Sequence, residues 1–187
     1  MTDPRLSKIK LLAMDIDGTL TDGAMIFYGN EQVKSFNVYD GLGIRLAANF
    51  GLRIAWVTGN VSESVSRRAA TLGVKDVYQG ARFKSKALIE IARRYNLDRE
   101  EIAYIGDDIN DLPAFDHAGF SFAVANAVEE VRSRADAITR LAGGRGAVRE
   151  AIETILKAQG TWDDAVQSFI EELAVEEEKK KGPEAVA

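Results

Sequence analysis

The chain has 187 residues, 46% of them hydrophobic, and a formal net charge of −5. That size and composition suit one domain with a substantial core, and the negative balance argues against a general nucleic-acid binder. With no cysteine present, disulfides, thiolate metal sites and a cysteine nucleophile are excluded.

The N-terminal segment carries an apolar run too short for a signal peptide, and no later run reaches spanning length. A cytoplasmic protein without membrane contact is therefore expected. In chain order, residues 10–16, 53–57, 76–78, 102–105, 120–124 and 135–138 read as short apolar strands. Helical patterns fall between several of them, at 41–49, 62–72, 84–95, 110–117 and 128–134. Strands that are apolar throughout and alternate with helices predict an α/β fold, a Rossmann-like three-layer sandwich with a mainly parallel sheet and helices on both faces.

One segment breaks the alternation. Residues 24–28 and 33–38 flank Gly29-Asn30-Glu31-Gln32 and read as a β-hairpin inserted directly after the first strand. Its apolar side chains would be poorly covered in a monomer, which marks it as a candidate surface for self-association. After Gly143-Gly144-Arg145-Gly146 a helix is expected at 147–158 and another at 162–178, with Thr161 as a plausible N-cap. Residues 176–183 read as a fraying, solvated tail. The organisation expected is thus one domain over residues 1–160, followed by a C-terminal helix and charged tail over 161–187.

Chemistry concentrates where strands end, the usual place for ligands in such a sheet. Asp15-Ile16-Asp17-Gly18-Thr19 follows the first strand. Two carboxylates at this spacing suit a division between nucleophile and proton donor. Thr58-Gly59-Asn60 follows the 53–57 strand, where the Thr58 hydroxyl can hold a phosphate oxygen. Lys84 opens a helix and offers a point cation, with Lys86 as its competitor. Gly106-Asp107-Asp108-Ile109-Asn110-Asp111 supplies a second acidic cluster. Carboxylates so close repel one another unless a cation intervenes, and magnesium is the natural oxygen-liganded choice. His117, the only histidine, reads as structural.

This order of motifs resembles the haloacid dehalogenase superfamily of phosphatases. The resemblance implies Asp15 as nucleophile and Asp17 as general acid/base, with Thr58 and Lys84 binding phosphate. It implies Mg2+ held by Asp15, the Asp17 carbonyl and Asp107, supported from behind by Asp108, Asn110 and Asp111. The short insertions leave no room for a cap domain. Phe36-Asn37-Val38-Tyr39-Asp40-Gly41-Leu42-Gly43, Tyr78-Gln79-Gly80 and the glycine-rich run at 143–146 resemble more narrowly the capless family of 3-deoxy-D-manno-octulosonate 8-phosphate phosphatases. That likeness implies a phosphorylated keto-sugar acid as substrate, a homotetramer formed through the hairpin, and sites at subunit interfaces. It adds Asn37, Asp40, Gly41, Gly59, Asn60, Lys84 and Asn110 as substrate-binding positions. Tyr39 and Asn60 depart from the pattern, since that family usually has arginine at both. Arginine pairs with carboxylate and phosphate through two parallel bonds that neither replacement copies. Arg45, Arg67 and Arg145 are the candidate compensating cations. A nine-carbon sugar acid phosphate, another small phosphomonoester, or an accessory role like the delta subunit of phenylphosphate carboxylase stand as alternatives. A phospho-receiver domain is disfavoured because receivers place the acceptor aspartate on a middle strand.

Overall fold

The computed structural model describes residues 3–29 and 31–180. The first strand, β1 (Leu11–Met14), is wholly buried. A hairpin follows, β2 (Ile26–Tyr28) paired antiparallel with β3 (Glu31–Val33). The chain then alternates: α1 (Val38–Asn49), β4 (Arg53–Val57), α2 (Glu63–Leu72), β5 (Asp76–Tyr78), α3 (Lys84–Tyr95) and β6 (Ile102–Gly106). It continues through the short α4 (Leu112–Phe115), β7 (Phe120–Ala123), the short α5 (Glu129–Arg132), β8 (Ala137–Ile138), α6 (Ala147–Ala158) and α7 (Trp162–Lys180).

Six strands form one parallel sheet in the order β5-β4-β1-β6-β7-β8. The α/β sandwich expected from the alternation is what the chain adopts. β1 lies between β4 and β6, with Leu11 in register with both Arg53 and Ile102. From β1 the chain first winds outward through β4 to β5, then returns to β6 on the other side. Right-handed crossovers running in opposite directions place their helices on opposite faces of the sheet. α1 accordingly packs on α6, and α3 on α4. The reversal at β1 leaves a crevice beyond the carboxyl ends of β1, β4 and β6.

The hairpin differs from expectation in its return strand. Residues 33–38 alternate well enough to read as a strand, yet pairing ends at Val33 and Val38 opens α1. The cause is Asn37, whose side-chain oxygen accepts the Tyr39 N–H at 2.8 Å and so starts the helix three residues before Gly41. The whole of β2 is solvent-exposed, with Phe27 65% and Tyr28 81% accessible. Between Gly106 and β7, the helix expected at 110–117 divides into a 3-10 turn over Ile109–Asp111 and the short α4, and exposed His117 sits in the turn that follows.

At the C-terminal end, α7 continues as helix through residues 176–180 rather than fraying there; residues 181–183 of the expected tail lie outside the described residues. The helix docks by its first turn. Trp162 receives the Arg149 guanidinium at 4.8 Å and the Lys157 ammonium at 5.5 Å over its ring. Further along, Arg45 on α1 lies over Phe169 at 5.9 Å and pairs with Glu172 at 3.7 Å. Thr161 does not cap α7 through its hydroxyl, which donates back to the Leu156 carbonyl at 3.4 Å. No helix of the described residues is long and apolar enough to cross a membrane.

Asp40 provides a cap between elements distant in sequence. It is 1% exposed, and its Oδ1 accepts the Arg149 N–H at 2.7 Å, with the N–H groups of Gly146 and Val148 beside it. These are the unsatisfied donors of the first turn of α6, whose own N-cap residue is a glycine. Burial nevertheless outweighs them and raises the Asp40 carboxyl above its ordinary pKa. Replacing Asp40 with alanine removes this cap and is expected to cost about 1–2 kcal/mol. Chemical denaturation of the two proteins checks this; equal midpoints would refute it.

Candidate active site

Three loops converge in the crevice, those that follow β1, β4 and β6. The backbone after β1 turns sharply at Gly18, where φ is +98°. A Cβ there would lie 2.0 Å from Asp107 Oδ2, so glycine lets the β1 loop press against the β6 loop. From the other side the 143–146 run closes in: the Gly144 N–H donates to the Thr19 carbonyl at 2.9 Å, and a Cβ on Gly143 would meet the Gly18 carbonyl oxygen at 1.7 Å. The glycine-rich run thus supports the first motif by close backbone approach.

Lys84 is the charge centre. Its side chain is 2% exposed, and Nζ pairs with Asp15 Oδ1 at 2.7 Å and with Asp111 Oδ1 at 2.6 Å. A lysine in the first turn of a helix opposes the macrodipole, so the carboxylates rather than helix propensity account for it there. Lys86 points away and lies over the Phe83 ring at 4.9 Å, which resolves the competition between the two lysines. Burial draws the Lys84 pKa down, but Asp111 and Asp15 together outweigh it and hold the ammonium above its ordinary value.

The acidic groups are uncompensated by the protein alone. Burial, reinforced by Asp111 and Asp107 and only partly opposed by Lys84, pushes the Asp15 carboxyl well above the usual carboxylate range. Asp107 is raised to about 6, first by burial and then by Asp111, against the hydrogen bond from Thr19. That bond joins the Thr19 hydroxyl to Asp107 Oδ1 at 2.9 Å. Oxygens of Asp15, Asp107 and Asp111 all lie within 4.8 Å of one another. Asp111, however, is already satisfied: Oδ1 accepts from Lys84 and from the Tyr104 hydroxyl at 2.8 Å, and Oδ2 from the N–H groups of Asp107 at 3.0 Å and Asp108 at 3.3 Å. Asp15 and Asp107 are left as the pair with free capacity and excess negative charge. A hard divalent cation with oxygen ligands fits them.

Asp17 stands on the opposite side, 27% exposed. Its Oδ2 accepts from Asn60 Nδ2 at 2.9 Å and from the Thr58 hydroxyl at 3.4 Å, while Oδ1 is bonded by Lys34. Asp15, Lys84, Asp107 and Asp111 form one bonded cluster and Asp17, Thr58 and Asn60 a second, and the two together make up the polar network of the site. Gly59 and Asn110 are exposed on its rim, and Asp108 accepts the Ile109 N–H at 2.7 Å as the cap of the following turn. Asn37 lies at the edge, capping α1 and donating to the Gly144 carbonyl at 3.3 Å. Asp40 and Gly41 do not join the network. Asp40 is committed to α6, and a Cβ on Gly41 would meet the Arg68 guanidinium at 2.2 Å, so both serve the packing of α1.

Sequence reasoning missed three members. Lys34 is the only basic residue over 24–38, and that isolation was the available signal. Tyr104 is a phenol inside a wholly buried strand, which requires a hidden acceptor. Thr19 sits within the first motif, but nothing local announces its bond to Asp107 in the loop after β6.

Comparison with known proteins decides the family. A model described as haloacid dehalogenase-like hydrolase matches residues 54–152. The 3-deoxy-D-manno-octulosonate 8-phosphate phosphatase of Escherichia coli K12 is 44% identical over 163 residues, covering 86% of each chain. The chain belongs to the haloacid dehalogenase-like hydrolases. Solved structures place it more closely within them. The octulosonate 8-phosphate phosphatase of Moraxella catarrhalis, in complex with magnesium ion, phosphate ion and the sugar acid, is 42% identical with a TM-score of 0.85, over 88% of this chain and 95% of that one. The cobalt-bound octulosonate phosphatase of Haemophilus influenzae is 40% identical at the same TM-score, over 89% and 99%.

Proposed function

We propose that this chain is a magnesium-dependent phosphatase that hydrolyses 3-deoxy-D-manno-octulosonate 8-phosphate, a phosphorylated keto-sugar acid, through an aspartyl-phosphate on Asp15. The observation that carries the reading is the buried pairing of Asp15 with Lys84 opposite Asp107, with Asp17 across the crevice. The likeness to octulosonate phosphatases supplies the substrate.

The Asp15 carboxylate attacks phosphorus, and the bond from phosphorus to the sugar oxygen breaks. Asp17 delivers a proton to that leaving oxygen, then takes one from the water that cleaves the acyl phosphate, releasing phosphate and restoring Asp15. Lys84 and the Thr58 hydroxyl hold the phosphoryl oxygens, so the protein mainly positions groups and offsets charge. Asp15, Asp107 and the Asp17 carbonyl are the proposed magnesium ligands; that carbonyl accepts no hydrogen bond among the described residues. Magnesium, when bound, supplies the positive charge that stabilises the phosphoryl group in flight. Asp108 and Asp111 hold the ligand loop in place through its backbone N–H groups.

Substrate contacts are assigned to Gly59, Asn60, Asn110 and Asn37 at the rim. Of the three candidate arginines, Arg45 and Arg67 are occupied with Glu172 and Glu63, whereas Arg145 pairs with Asp22 in the loop after β1, at 3.4 Å. Arg145 is therefore the best-placed replacement for the missing arginines. Tyr39 and Asn60 weaken the octulosonate assignment, and a nine-carbon sugar acid phosphate is the second reading.

The catalytic unit is residues 1–160 without a cap domain; only the β2–β3 hairpin intervenes between β1 and α1. The exposed apolar hairpin favours a homotetramer with sites at subunit interfaces, and the cytoplasm is the compartment in keeping with a chain that lacks cysteine. Size-exclusion chromatography with light scattering measures the assembly. For the metal, Asp107→Asn is expected to lower activity about a hundredfold and to shift the magnesium titration to higher concentration together. An unchanged titration would remove Asp107 from the ligand set.

A further inference from the structure

Lys34 has no place in the chemistry set out above, yet its side chain is deeply buried at the end of the hairpin. Its side chain is 3% exposed and its ammonium is bonded to Asp17 Oδ1. A lysine so far from water is held at a cost unless a carboxylate meets it. The segment that carries it is fixed on both sides. The Gln32 carbonyl accepts from Ser64 at 3.4 Å, the Phe36 ring stacks on Trp56 at 6.2 Å between centroids, and Asn37 caps α1.

The two oxygens of Asp17 are thus held by separate elements. Oδ2 belongs to the β4 loop through Asn60 and Thr58, and Oδ1 to the hairpin through Lys34. Either set of partners alone fixes one oxygen and lets the carboxylate turn about it; Lys34 supplies the second point that sets its orientation. Orientation matters most for a group that must hand a proton to one particular atom.

We propose that Lys34 is a positioning residue for Asp17, aiming the general acid at the oxygen of the leaving group. The inference rests on the phosphatase reading. It states that the hairpin serves catalysis directly, through one side chain, within a single chain. Lys34 acts through Asp17 and need not touch substrate.

Leaving-group dependence tests it. A sugar alkoxide leaves only with a proton, whereas nitrophenolate leaves unaided. Wild type, Lys34→Met and the more conservative Lys34→Gln and Lys34→Arg are assayed with octulosonate 8-phosphate and with p-nitrophenyl phosphate. In single turnovers, the expected result for Lys34→Met is a fall of about a hundredfold in the rate of sugar release, with little change in the rate of nitrophenolate release and little change in KM; the water step that follows is common to both substrates. Lys34→Arg is expected to retain more activity than Lys34→Gln. In an Asp17→Asn background, Lys34→Met should bring no further loss on the sugar phosphate. Equal losses in the two release rates would overturn the proposal in favour of phosphate binding or simple folding, and so would an unchanged rate of sugar release. Should Lys34→Met fail to fold by circular dichroism, Lys34→Gln decides by the same ratio. A wild type that hydrolyses neither substrate overturns the phosphatase reading itself, and the Lys34 role with it.

Discussion

Asp15→Asn is expected to lower phosphate release by roughly four to six orders of magnitude, the scale seen when a covalent nucleophile is lost. The amide is nearly isosteric with the carboxylate, so the contact with Lys84 changes character without opening a cavity. Asparagine cannot form the acyl phosphate, and no other carboxylate can replace it. Asp111 is bound by Lys84, Tyr104 and two backbone N–H groups, and Asp107 is drawn toward Thr19. The fold should survive, because burial already disfavours the charge that the substitution removes. Lys84 keeps Asp111 as partner. Phosphate release measured alongside thermal unfolding checks both halves. Appreciable residual activity would remove the nucleophile assignment; loss of folding would show Asp15 to be structural.

Lys84→Met carries the second large effect and strikes stability as well as rate. The substitution leaves Asp15 and Asp111 buried without their shared cation, beside Asp107. Breaking a buried pair by removing one partner typically costs about 3–5 kcal/mol. Activity should fall by at least about a hundredfold, since a charge aimed at the phosphoryl oxygens is lost. The two effects separate in magnesium. A divalent cation restores positive charge beside the carboxylates, so added magnesium should raise the melting temperature of Lys84→Met more than that of wild type, while activity stays low. A variant as stable as wild type without magnesium, or one whose melting temperature ignores the metal, would contradict the electrostatic account.

The ease of reading this chain varied with the range of the interactions involved. The strands over residues 53–57 and 76–78 and the helix over 84–95 have the expected bounds, because apolar runs and a 3.6-residue period are local signals. The return of the hairpin was misread for the opposite reason. Val33 to Val38 alternates like a strand, but one side chain, Asn37, redirects the backbone into a helix. The C-terminal charge run was read both as the end of a helix over 162–178 and as a solvated tail; α7 runs two residues further, to Lys180, with 171–179 exposed, anchored upstream by Trp162, Phe169 and Glu172.

Within the site, the motif residues were legible because each stands at the end of a strand next to a glycine or a helix start. Their partners were not. Lys34 meets Asp17 from the end of the hairpin, Tyr104 reaches Asp111 from inside the sheet, and Thr19 reaches Asp107 from the loop after β1. Such pairs depend on strand order, which composition and spacing do not encode. Asp40 shows the converse: a polar residue beside glycines that resembled a substrate contact caps a helix begun more than a hundred residues later.

The substrate rests on the rim rather than on the catalytic centre, and there Asn60 is turned toward Asp17 while Arg145 pairs with Asp22. The most direct test is therefore kcat/KM of the purified chain, with magnesium, on octulosonate 8-phosphate, a nine-carbon sugar acid phosphate and a panel of simple phosphomonoesters. The account predicts the highest efficiency on octulosonate 8-phosphate, about a hundredfold above the simple esters, an advantage that orienting contacts can supply. Comparable efficiencies across the panel would contradict it.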